Sequence, residues 1–138
     1  MNNGKKKVGQ IRAEIVVDLT REDVEDIIVG ALEGGIGYWC CLDNRGDAFE
    51  YAPEDEPTAI TAAKLVLDGP GILLIDEEEE KTYELSLERF LNGFRLWLEN
   101  GGDTYGAVSK LGVDTYQIDA DAADAIIQYA LFGEVMYG

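Results

Sequence analysis

The chain contains one layout twice. TREDVEDIIVGALEGGIGYW occupies residues 20–39, and DADAADAIIQYALFGEVMYG occupies residues 119–138. Superposed, they match a polar cap (Thr20, Asp119), an Ile-Ile pair (Ile27-Ile28, Ile126-Ile127), Ala-Leu (Ala31-Leu32, Ala130-Leu131), a glycine (Gly34, Gly133), a β-branched residue (Ile36, Val135) and a tyrosine (Tyr38, Tyr137). Each copy spells a side chain that caps the first free N–H groups, apolar residues at helical spacing, a glycine that ends the helix, and a strand. Two amphipathic helices need a common apolar surface, so both are expected to pack on one sheet in an α+β fold. An old duplication accounts for the echo, and so do the needs of any capped helix that feeds a sheet; both accounts stand at this level.

The rest of the pattern fills in that sheet. Residues 1–8 read as a disordered basic terminus, and residues 9–138 as a single α+β domain, a mostly antiparallel sheet packed against three to four amphipathic helices. In GQIRAEIVVDL, Ile11, Ala13, Ile15 and Val17 alternate with polar neighbours, which predicts a half-buried strand. After Thr20 the period turns helical: Val24, Ile27, Ile28, Ala31 and Leu32 share a face, and Gly34-Gly35 is the stop. IGYWCCL predicts a strand, and DNRGD leading into AFEYA predicts a hairpin.

The segment from Pro57 to Leu67 favours a helix ended by Gly69, followed by strands at residues 72–76 and 82–85 joined by an acidic turn. Ser86 caps the clearest helix, with Leu87, Phe90, Leu91, Phe94 and Leu98 on its face, Trp97 beside them and Gly101-Gly102 at its end. A Gly-rich loop over residues 101–114, a short TYQI strand, a helix from Ala120 to Phe132 and a terminal EVMY strand complete the expectation.

Charge narrows the function classes. The net charge is −17, from 28 acidic and 11 basic residues. Lys5, Lys6, Lys7 and Arg12 all precede the first carboxylate, Glu14, so the remainder sets seven bases against 28 acids, or −21. Such a field repels nucleic acid and anionic membranes and attracts basic surfaces. No apolar run reaches the ~18 residues of a membrane span, and no apolar signal segment follows the lysines, so the cytosol is the expected location. The adjacent cysteines, Cys40 and Cys41, would form only a strained disulfide and read as two buried thiols in a reducing compartment.

Chemistry-bearing constellations are few. Histidine is absent, which removes His-based triads and the commonest general base, and no phosphate-binding glycine motif is present. Asp119, Asp121 and Asp124 are the most metal-like group, but they depart from calcium-loop spacing and suit the opening of a helix, so no metal, cofactor or catalytic residue is expected. GYWCC and the pair Phe94 and Trp97 read as core packing.

The remaining signal is acidic. Glu22, Asp23 and Asp26 stand on the first helix, Glu54, Asp55 and Glu56 form a second group, and Glu77, Glu78, Glu79 and Glu80 form a third. Carboxylates repeated over several elements can imitate the closely spaced phosphates of a duplex, and so engage the Lys and Arg surfaces that bind it. These ten residues are therefore the candidate partner-binding set. The alternative is a small-ligand module that sequesters a nucleotide signal; it would need Arg21, Arg45, Lys64, Lys81, Arg89, Arg95 or Lys110 beside Trp39 or Trp97, or a pocket built across a homodimer.

LTREDVEDIIVGALEGGIGYWC, ELSLERFLNGFRLWLENG and DADAADAIIQYALFGEVMYG together resemble a group of small uncharacterised acidic proteins that recur in phages and prophages of Firmicutes. The resemblance covers most of the chain and implies a phage accessory protein acting in the host cytosol. By analogy of type, it implies a non-enzymatic inhibitor of a host defence system, of the anti-CRISPR or anti-restriction kind, that binds a basic nucleic-acid-handling surface.

Overall fold

The computed structural model describes residues 6–109 and 112–138, and it is α+β with one hydrophobic core. Helix α1 (Arg21–Gly30) starts at a reciprocal capping box: the Thr20 hydroxyl accepts from the Asp23 N–H, and the Asp23 carboxylate accepts from the Thr20 N–H. Val24, Ile27 and Ile28 are buried as their spacing requires. The helix runs on into a π-helical turn, Ala31–Gly35. A Cβ on Gly35 would lie 2.6 Å from the Ala120 carbonyl oxygen, so this glycine serves close approach between the two echoed segments.

Strand β1 (Cys40–Leu42) pairs antiparallel with β2 (Ile72–Asp76), and β2 with β3 (Lys81–Leu85), in the order β1-β2-β3. Cys41, Ile75 and Thr82 fall in one row, and Leu74 faces Leu42 and Tyr83 in the next. Period-2 alternation sends Cys40, Ile72, Leu74, Asp76 and Leu85 into the core. Cys41, Leu73, Ile75, Thr82 and Glu84 lie on the opposite face, which stays open. Between β1 and β2 come a one-turn helix, α2 (Asp47–Glu50), and α3 (Thr58–Asp68), which packs on α1.

Helix α4 (Leu87–Glu99), capped by Ser86, crosses α5 (Ala120–Phe132), capped by Asp119. The crossing is close at Gly93, where a Cβ would lie 2.6 Å from the Ala130 Cβ. A two-residue ladder, β4 (Val108–Ser109) with β5 (Gly112–Val113), and a 3-10 turn, Thr115–Gln117, link α4 to α5.

Several sequence expectations are corrected. The alternating segment before Thr20 forms no strand: Ile11, Ile15 and Val16 are 90%, 73% and 92% exposed, and only Val17 and Leu19 touch the core. Alternation supplies a face but not an edge to pair with. AFEYA gives α2 instead of a hairpin strand, because Gly46 (φ 113°) reverses the chain into a helical turn. IGYWCCL contributes only its last three residues to the sheet, and TYQI is the 3-10 turn.

EVMY is irregular, and Leu91 is exposed, the buried stripe of α4 being Phe90, Gly93, Phe94 and Trp97. Cys41 is exposed, whereas Cys40 is buried. Helix α5 touches β3, α1 packs on α3 and α5, and the buried faces of both echoed helices join one core with Leu74 and Leu85 of the sheet. Residues 1–5 of the expected disordered terminus, and Lys110, lie outside the described residues.

Candidate interaction surface

Helices α1 and α3 run antiparallel. Arg21, at the start of α1, makes two hydrogen bonds to Asp68, at the end of α3. At the other end of the pair, Leu32 and Glu33 share a groove with Thr58 and Ala59. The acidic groups are thereby sorted. Glu22 and Asp23 lie at the Arg21 end, and Asp26 points toward the 3-10 turn, where it accepts from the Thr115 hydroxyl at 2.9 Å.

The second and third groups converge at the opposite end. A concavity of about 390 Å³ is lined by Asn44, Phe49, Glu50, Glu54, Glu56 and Thr58 among others. It adjoins a groove of about 490 Å³ that shares Asn44 and Thr58 and adds Glu33, Cys41 and Glu77. The structure therefore brings Glu54, Glu56 and Glu77 to one region and leaves Glu22 and Asp23 away from it. Glu33 and Glu50 join the rim without having been singled out. Glu33 sits next to the glycine pair read as a helix stop, and Glu50 sits in the segment read as a strand.

Not every candidate acid is free to meet a partner. Glu56 accepts from Thr61 Oγ1 at 2.7 Å and pairs with Lys64; the lysine ammonium first, then the threonine hydroxyl, holds its carboxyl below the usual range. Asp23 is occupied by the helix cap. Glu22, Glu54, Asp55, Glu77, Glu78, Glu79 and Glu80 lie exposed around the molecule. The turn that carries the last four is built by Asp76, whose Oδ1 accepts from the N–H groups of Glu78 and Glu79, and Glu80 takes the left-handed conformation (φ 55°) that releases the chain into β3.

The bases of the body are largely committed elsewhere. Arg21 pairs with Asp68, Arg45 with Asp43, Lys64 with Glu56 and Arg95 with Glu99. The Arg45 guanidinium, helped by its backbone N–H, pulls the Asp43 carboxyl down to about 2. Arg89 donates to the Glu84 carbonyl. Among the described residues, neither tryptophan has the cationic neighbours that phosphate binding asks for. Trp39 is enclosed by Phe132, Tyr137 and Asp124. The cleft beside Trp97, about 350 Å³, is lined by Tyr105, Tyr129, Asp103, Asp119 and Asp121 among others, with no Lys or Arg among the described residues of its walls. Such walls suit a cation and repel a phosphate.

The metal-like aspartates have other tasks. Asp119 Oδ1 accepts from the Ala122 N–H as the α5 cap. Asp124 is buried and accepts from Tyr38 Oη at 2.6 Å, Trp39 Nε1 at 2.8 Å and Gln128 Nε2 at 2.9 Å. Its lone pairs tie the first echoed segment to the helix of the second. Among the described residues, no group of three or more Cys, Asp or Glu side chains is arranged to hold a metal ion, and no helix is long and apolar enough to cross a membrane.

The chain matches no known family, no curated protein and no solved structure.

Proposed function

We propose that this chain is a non-enzymatic binding protein that docks its acidic end onto a basic, nucleic-acid-handling surface, and that it does so as a phage-encoded inhibitor of a host defence effector. The observation that supports docking is the distribution of countercharge. Among the described residues, four of the body's bases neutralise Asp43, Glu56, Asp68 and Glu99, while Glu33, Glu50, Glu54 and Glu77 line two adjoining grooves with no such ion pair. Unpaired carboxylates on concave surface focus a negative field outward and speed encounter with a positive one. The inhibitor role rests on the likeness to phage accessory proteins.

The test is a low-salt column of the immobilised chain loaded with lysate from a defence-bearing host and eluted with a salt gradient. Retention of one basic nuclease that elutes at moderate salt, and that the chain inhibits when purified, is the expected result. Glu54→Lys with Asp55→Lys should lower its association rate roughly tenfold, and Glu22→Lys should lower it much less. Binding indifferent to salt and to both substitutions would overturn the reading.

A further inference from the structure

The helices leave one face of the three-stranded sheet uncovered. Its central strand is apolar there, with Leu73 44% exposed and Ile75 half-buried, and exposed Cys41 lies beside Ile75 on the edge strand β1. Its surround is acidic: Glu84 faces Leu73 across the ladder, and Glu77 and Asp43 lie close enough to Cys41 to raise its thiol pKa, after the larger effect of burial. A solvated sheet face normally carries polar side chains, so an apolar centre with a charged rim marks an interaction site.

The same molecule carries a segment with the opposite character. Residues 6–16 are exposed and take no regular secondary structure, with Val8, Ile11, Ile15 and Val16 in solvent and no backbone ladder. Lys6, Lys7 and Arg12 make this arm positive on a body of −21. Its apolar residues match the middle of the sheet face, and its bases match the rim. Val17 and Leu19 anchor its root in the core, and from there an extended arm reaches ~35 Å, enough to cross a neighbouring domain. In this structure Val8, Ile11, Ile15 and Val16 of the arm stay exposed, so the arm does not cover its own sheet face.

We propose that the arm of one copy lies across the open sheet face of a second copy, and reciprocally, in a two-fold dimer. Self-complementarity is what a two-fold interface demands, since arm and face occur on the same chain and each copy gives one and receives one. The apolar centre supplies adhesion, and the Lys and Arg side chains against Glu77 and Glu84 set orientation. This dimer shares Cys41 and Glu77 with the second acidic groove described above, whereas Glu50 and Glu54 of the first groove lie outside the sheet face.

Light scattering over a dilution series, with the native chain, Ile11→Asp combined with Ile15→Asp, and Leu73→Glu, tests it. All three positions are exposed, so the variants should keep the native melting curve. The native chain should weigh as a dimer, and either variant should raise the dimer dissociation constant roughly tenfold or more. A second experiment places Ile15→Cys opposite native Cys41 and treats the protein with a short bismaleimide, with the native chain as control. A cross-linked band at dimer size, absent from the control, is the expected product. A native chain that stays monomeric, a dimer that survives both variants, or a cross-link at monomer size, which would put the arm on its own sheet, each overturns the proposal.

Discussion

The two ends of this chain share a sequence character and meet different fates. Both GQIRAEIVVDL and EVMYG read as strands, and neither is one. The first is left in solvent up to Val16, whereas the second is fixed to the core although it joins no sheet. The difference lies in what waits for the backbone. Residues 133–138 run past Gln128, which is 0% exposed and whose amide copies a strand edge: Oε1 accepts from the N–H groups of Met136 and Tyr137, and Nε2 donates to the Tyr137 carbonyl. Tyr137 then stacks on Trp39 at 5.1 Å and donates to Asp76 at 2.7 Å. Among the described residues nothing comparable receives residues 6–16, so their backbone stays with water.

The comparison breaks most severely at Gln128. Gln128→Ala would strip two part-buried N–H groups and a carbonyl of their partner and remove a donor from the buried Asp124, and should cost about 3 kcal/mol in urea unfolding. Deleting residues 135–138 should be of the same rank, because it leaves the Gln128 amide unmatched and uncovers one face of Trp39. An unchanged melting temperature after that deletion would mean the tail is decoration.

An intermediate effect should come with alkali. Burial first, then its hydrogen bond to Asp124, pushes the Tyr38 hydroxyl up to about 12; the hydrogen bond to Asp76, then burial, raises that of Tyr137. A folded pKa above the unfolded value of ~10 means that the protonated phenol favours the fold. That contribution is complete below about pH 10 and is lost as pH rises through the folded values. Unfolding midpoints should therefore fall between about pH 10 and 12, and Tyr38→Phe combined with Tyr137→Phe should flatten the slope. A slope unchanged by the double substitution would place the alkaline sensitivity elsewhere.

What the sequence discloses follows the range of the interactions involved. Helical periodicity and caps are local, and Thr20, Ser86 and Asp119 all cap the helices expected of them. The acidic turn between two strands was equally legible, since Asp76 organises it from within. Strand expectations failed at residues 11–17, 48–52, 115–118 and 134–137, because a strand depends on a partner edge that local alternation does not encode. The acidic surface was half legible. Counting acids found Glu54 and Glu77, but only the antiparallel docking of α1 on α3 brings Glu33 to the same grooves and takes Glu22 away. The echo foretold two similar helices and missed how they meet, with Gly35 against Ala120 and Tyr38 and Trp39 reaching Asp124.

The smallest stability effect should come from the N-terminal arm, and its smallness sharpens the contrast. Ile11, Ile15 and Val16 are exposed, so their apolar area is not withdrawn from water within one copy and contributes nothing to that copy's folding. Removing residues 1–15 should change the unfolding free energy by less than about 0.5 kcal/mol when measured in dilute, monomeric solution. Val17 and Leu19 remain in that variant, so the entry to α1 is preserved. At higher concentration the native chain should gain stability with protein concentration and the shortened one should not, because a folded-state association adds to apparent stability by mass action. A large loss in dilute solution would mean that the arm belongs to the core of its own copy, and the two ends would then differ only in the chemistry of their anchors.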